Sequence, residues 1–135
     1  MPIHVDWYIP KRVIFIQLDG DITINNIHIM NQQLQDKLNV CEPLVHMLID
    51  QSRIGRFPIN LKEIRALLTV MRYEHFGHLI MYGKVSSLGE FVSGMVARMG
   101  GLKLHTFKTE ENALEFLMQQ DESLQAFTQH NSKSI

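Results

Sequence analysis

The sequence predicts an α/β fold, a single-domain mixed β-sheet with its elements in the order ββαβαβαβα. Three observations carry this. Residues 44–50, LVHMLID, form a dense apolar run without alternation, the mark of a strand covered on both faces. Short apolar runs of this kind alternate along the chain with segments whose apolar residues recur every three or four positions. Near the start, residues 4–9 (HVDWYI) and 13–18 (VIFIQL) are separated only by a turn at Pro10-Lys11. So short a connection joins antiparallel neighbours. The sheet is therefore expected to be parallel inside with an antiparallel edge.

Taken in order, Asp19-Gly20-Asp21 breaks the second strand, since glycine accepts the backbone angles of a sharp exit. Thr23 is the expected N-cap of a first helix reaching about Asn39, with Ile27, Met30, Leu34 and Leu38 as its buried stripe. Pro43 bars its continuation and hands the chain to the central strand 44–50, which a polar loop, 51–58, follows. Asn60 and Glu63 form a capping-box pattern for a second helix with Leu61, Ile64, Leu67, Leu68 and Met71 inward. Residues 78–82 (HLIMY) read as another inner strand. Ser87 and Glu90 then open a third helix with a stripe of Leu88, Phe91, Val92, Met95, Val96 and Met99, which Gly100-Gly101 ends. Residues 103–107 form a short last strand. Thr109 caps a fourth helix, whose Glu110 and Glu111 suit the positive end of the helix dipole. One domain is expected over residues 1–127, with Leu124 and Phe127 extending the packing. The polar tail 128–135 is expected to be disordered.

Composition narrows the function classes. The 135 residues are 45% hydrophobic and 20% charged, the balance of an ordinary globular domain. Thirteen Lys and Arg against fourteen Asp and Glu are scattered and supply no basic face for a phosphate backbone, so nucleic acid is not an expected partner. No apolar run reaches the length of a membrane span, and the N-terminus lacks the form of a signal peptide, so membrane insertion is not expected and the expected location is cytoplasmic. Cys41 stands alone beside Glu42 and Pro43, which reads as a structural thiol in a reducing compartment. His75 and His78 have no third ligand near them in sequence, and zinc needs three or four, so no metal is expected. His46 lies inside the central strand with no placeable nucleophile, and reads as a core histidine with a hydrogen-bond partner. No catalytic set and no cofactor are predicted.

The candidate contacts are of two kinds. In the loop after the central strand, Arg53 and Arg56 would steer an acidic partner and Phe57 would anchor it; the bland alternative is a solvated loop whose phenylalanine tucks into the core. Phe91, Met95 and Met99 on the third helix would extend this protein-binding surface, because methionine suits adaptable interfaces; core filling is their alternative. Asp50, Ser52, Ser86 and Ser87 are secondary candidates for a small ligand. Asp50 equally suits hydrogen bonding to its own loop. The run Gly83-Lys84-Val85-Ser86-Ser87 lacks the glycine spacing of a phosphate loop, and capping accounts for Ser87.

Three stretches carry a family resemblance: Gly20-Asp21-Ile22-Thr23 entering the first helix, Leu48-Ile49-Asp50 ending the central strand, and FKTEENALEFL from Phe107 through Leu117. Together with the element order over residues 3–120, they resemble the STAS family, the domains of anti-sigma-factor antagonists and sulphate transporters. The SpoIIAA-like branch, which shades into CRAL-TRIO-like lipid-binding domains, is the most similar. The resemblance implies a SpoIIAA-like fold and a regulatory or interaction role. Regulatory members are switched by phosphorylation of a serine at the start of the helix after the central strand. Here that start reads Phe57-Pro58-Ile59-Asn60-Leu61, without serine or threonine, and Ser52 comes too early. The expected function is thus non-catalytic binding of a protein partner, a second copy of the chain included. The alternative is a carrier or sensor of a small apolar molecule such as a lipid, lodged between the sheet and the Met-lined helices.

Overall fold

The computed structural model describes residues 2–42, 44–58, 62, 65, 76–84, 87–99 and 103–126. Five strands form one sheet in the order β1 (Ile3–Ile9), β2 (Val13–Gly20), β3 (Val45–Ile54), β4 (Phe76–Tyr82) and β5 (Lys103–Phe107). β1 and β2 pair antiparallel, whereas β2 through β5 are parallel throughout. The expected arrangement holds, with β3 at the centre. Three helices complete the described elements: α1 (Ile24–Leu38), α2 (Ser87–Met99) and α3 (Glu110–Gln120), the last followed by a 3-10 turn, Glu122–Leu124.

Strand alternation divides the core in two. Ile14, Ile16 and Leu18 of β2, Val45 and Met47 of β3, and Leu79 and Met81 of β4 face α1 and α2. There they meet Ile27, Met30 and Leu34 from α1 and Val92 and Met95 from α2. Val13, Leu48, Ile80 and Tyr82 point the other way, toward Ala113 and Leu117 of α3 and Leu124 of the 3-10 turn. Burial on both sides explains why the β3 sequence shows no polar alternation.

The helix starts are local chemistry. The Thr23 hydroxyl accepts from the Asn26 amide at 3.1 Å, and the Asn26 side chain accepts from the Thr23 amide at 2.9 Å, a reciprocal box that satisfies two orphan donors. Thr109 caps α3 by accepting from Asn112 N–H at 3.2 Å.

Two details correct the expected boundaries. β2 runs on through Gly20, and β3 continues through Gln51, Ser52 and Arg53 to Ile54, while Leu44 precedes the strand and is 44% exposed. The extension carries a bulge: Gln17 pairs with Asp50, but Asp19 pairs with Arg53. One extra residue on β3 flips the side-chain alternation, which is how Ile54 reaches the same core cluster as Met47. The expected second helix is described only at Lys62 and Arg65, both helical. Its other residues, Pro43, Gly100-Gly101, Phe127 and the tail 128–135 lie outside the described residues. Among those described, no helix is long and apolar enough to cross a membrane.

Candidate functional site

The carboxyl edge of the parallel strands gathers most of the candidate residues, and they divide between two flanks. The first flank is the segment leaving β3. Gly55 N–H donates to Gly20 O at 2.7 Å, Arg56 N–H to Asp21 Oδ1 at 2.8 Å, and Ile22 N–H to Arg56 O at 2.8 Å. The exits of β2 and β3 are thereby bonded into one rigid corner. Arg53 stands on β3 itself, 74% exposed and 3.6 Å from the exposed Asp19 carboxylate, a pair too solvated to add much stability. Arg56 is exposed, and Phe57 is half-buried against the α1–α2 core. The phenylalanine therefore does part of what its bland alternative asked, while the two arginines face water.

Asp50 and Ser52 lie on the α3 side of this edge. The Ser52 amide and hydroxyl both donate to Asp50 Oδ1, at 2.9 and 2.6 Å, and Gln17 Nε2 approaches Asp50 Oδ2 at 3.5 Å. Nearby, Tyr82 Oη donates to Glu110 Oε2 at 3.4 Å. Burial, with the Asp50 and Glu110 carboxylates behind it, pushes the Tyr82 hydroxyl well above the ordinary phenol range. Asp50 thus makes the local hydrogen bonds expected of a strand-end aspartate.

The second flank is a cleft of 520 Å³ on the α2 side, lined by Gln51, Gly83, Lys84, Gly89, Glu90, Ser93, Thr106, Phe107 and Lys108. Gly83 makes it possible. Its φ of +118° suits glycine, and a β-carbon there would come 2.5 Å from Ser52 N. Gly83 N–H donates to Phe107 O at 3.1 Å, tying the exits of β4 and β5 together. From sequence alone, Lys84 is set aside with its phosphate-loop run, and Lys108, Ser93 and Thr106 are not singled out. The positions of Lys84 and Lys108 just past strand ends were legible, but the convergence of all four depends on strand order.

Other predicted residues fall elsewhere. Met95 is 5% exposed and packs in the core, with Phe91 half-buried beside it; both face the sheet side of α2. Ser87 and Met99 are the first and last residues of α2, and Ser86 lies outside the described residues. The 520 Å³ cleft is at the carboxyl edge, beside the polar Glu90 and Ser93 of α2.

At the opposite, amino edge, His46 is 1% exposed. Its Nε2 meets Asp121 Oδ2 at 2.8 Å and its Nδ1 accepts from the His78 amide at 2.9 Å. Because a backbone amide only donates, the proton of the neutral ring resides on Nε2 and points to Asp121. Arg12 Nη2 reaches the same carboxylate at 2.8 Å, and the Ser123 hydroxyl donates to its other oxygen. Burial lowers the His46 pKa despite Asp121. Burial would raise the Asp121 carboxyl, but hydrogen bonds from His46 and Ser123 and the Arg12 charge hold it below its usual range. His78 is pushed down to about 4 by burial and by His46, His105 and Lys103. Gly77 lets this array close, since a β-carbon there would strike the His46 ring. The array fastens the end of α3 to the sheet, so His46 has the core role and the hydrogen-bond partner expected of it. Among the described residues no group of three or more His, Cys, Asp or Glu is placed to hold a metal. Cys41 is half-buried, its thiol donating to Leu38 O at 3.2 Å and pushed up by burial.

No family model matches the chain, and no curated protein matches it. Among solved structures it is similar to an uncharacterised protein of the DUF3478 family from Shewanella loihica, described as having a SpoIIAA-like fold. The TM-score is 0.61 at 16% identity, over 85% of this chain and 91% of that one. At that identity the likeness concerns the fold, and the fold of the present chain is SpoIIAA-like.

Proposed function

We propose that this SpoIIAA-like fold serves as a non-catalytic, regulatory interaction domain of the cytoplasm, binding a protein partner through the corner where β2 and β3 end. The observation that carries the reading is the contrast within that corner. Its backbone is immobilised by three hydrogen bonds of 2.7–2.8 Å, while the side chains of Arg53 and Arg56 remain exposed. Guanidinium groups on a pre-organised backbone lose little freedom on meeting carboxylates. The matching partner surface is acidic. A second copy of the chain is one candidate partner, which the subunit number tests.

The test is retention of partners on immobilised protein, with an Arg53→Glu/Arg56→Glu variant beside the parent chain and native mass spectrometry of both. Charge reversal at two exposed positions is expected to leave the circular dichroism spectrum unchanged. It should weaken partner retention, or dimer formation, at least about tenfold, the scale of lost charge complementarity. Identical partners and identical subunit number for the two proteins would exclude this corner. Phe57 is tested separately as Phe57→Leu, because truncation to alanine would also disturb the core it touches.

A further inference from the structure

We infer that the cleft on the α2 side is a binding site for a small organic anion, a carboxylate or phosphoryl group carried on a compact apolar body. This goes beyond the arginine corner and uses different residues. At 520 Å³ the cleft falls within the roughly 300–1,000 Å³ of small-molecule sites. Its charge is built by topology. β4 and β5 are parallel neighbours paired through Tyr82 and Phe107, and each strand is followed within two residues by a lysine, Lys84 and Lys108, that lines the cleft. The Gly83–Phe107 hydrogen bond holds the two exits together, so both lysines border one volume.

Glu90 is the carboxylate among the described lining residues. It stands in the first turn of α2, where helix amides already stabilise a negative charge. Two ammonium groups against one carboxylate leave the described lining with a positive excess. Ser93 and Thr106 add hydroxyls that can donate to an oxyanion. The bare α-carbons of Gly83 and Gly89 and the lysine stems give the apolar wall. A wholly apolar ligand would leave the lysines unanswered, and a bare inorganic ion would leave most of the volume empty.

The test uses the full chain and 8-anilinonaphthalene-1-sulfonate, an anion on an apolar body, followed by fluorescence titration. One probe per chain is expected. Affinity should fall about tenfold in Lys84→Ala/Lys108→Ala and rise about threefold in Glu90→Gln, the opposite signs that charge recognition requires. Ser93→Trp, which fills the cleft from exposed α2 surface, should abolish binding. The uncharged N-phenyl-1-naphthylamine should bind at least about tenfold more weakly than the sulfonate. Displacement of the probe by octanoate but not by inorganic phosphate assigns the acyl carboxylate, and the converse assigns the phosphoryl group. The inference is overturned if neither competitor displaces the probe, or if Ser93→Trp binds normally. It is equally overturned if the lysine variant, with an unchanged circular dichroism spectrum, binds as the parent does.

Discussion

Asp121 concentrates more consequence than any other single side chain described. It takes Arg12 and His46 on one oxygen, both at 2.8 Å, and Ser123 on the other. Asp121→Ala leaves the His46 N–H buried without this acceptor, which is expected to cost about 1.5–3 kcal/mol, the range for bonds to a charged group. Urea denaturation at pH 7 measures it. The same array sets a pH dependence. His46 and His78 bind protons less readily folded than unfolded, so the unfolded chain takes up more protons below its ordinary value of 6.5. Stability is expected to hold above that pH and to decline as pH falls from 6.5 toward 4. The depressed Asp121 carboxyl adds a further loss below its ordinary 3.8. A urea midpoint independent of pH across that window would contradict this, and His78→Gln should flatten the slope. A core role for His46 was legible, because it interrupts a wholly apolar strand. Its partner was not, since no local pattern links positions 75 residues apart.

Among the elements, those written in local chemistry were the most legible. Thr23 and Thr109 announce helix starts with hydroxyls that accept from amides three residues on, and the stripe Ile27, Met30, Leu34 follows from spacing alone. β3 was underestimated for the complementary reason. Gln51, Ser52 and Arg53 look like loop, and become strand because the end of β2, Asp19 and Gly20, pairs with Arg53 and Ile54 across a bulge. A polar composition says nothing of a partner strand that arrives from elsewhere in the chain. The exit of β4 belongs to this scale as well. Gly83→Ala forces a β-carbon into positive φ and against the Ser52 backbone, at an expected cost of about 1–3 kcal/mol. A thermal melt unchanged from that of the parent would show that the turn relaxes freely.

Across the whole molecule, the sheet is a shared wall between two apolar clusters, one under α1 and α2 and one under α3. Leu34→Ala on the first side and Leu117→Ala on the second, each 1% exposed in the parent, are expected to cost about 2–5 kcal/mol apiece. Because the two leucines lie in different clusters, their costs should add within roughly 0.5 kcal/mol. Each variant should still unfold in one transition, since both clusters hang on the same strands. Probes on the two faces melting at different urea concentrations would show that the layers come apart separately. Layer order was legible from the alternation of runs, whereas the convergence of Lys84 with Lys108 needed the adjacency of β4 and β5.

The bond between His46 and Asp121 joins residues that a ribosome adds far apart in time. At about 5–20 residues per second, the 75 positions between them take roughly 4–15 s to translate. Within that interval the faces of Leu48 and then Ile80 that α3 will cover are made but not yet shielded. The nascent sheet is therefore at its most adhesive just before α3 emerges, when a chaperone has most to hold.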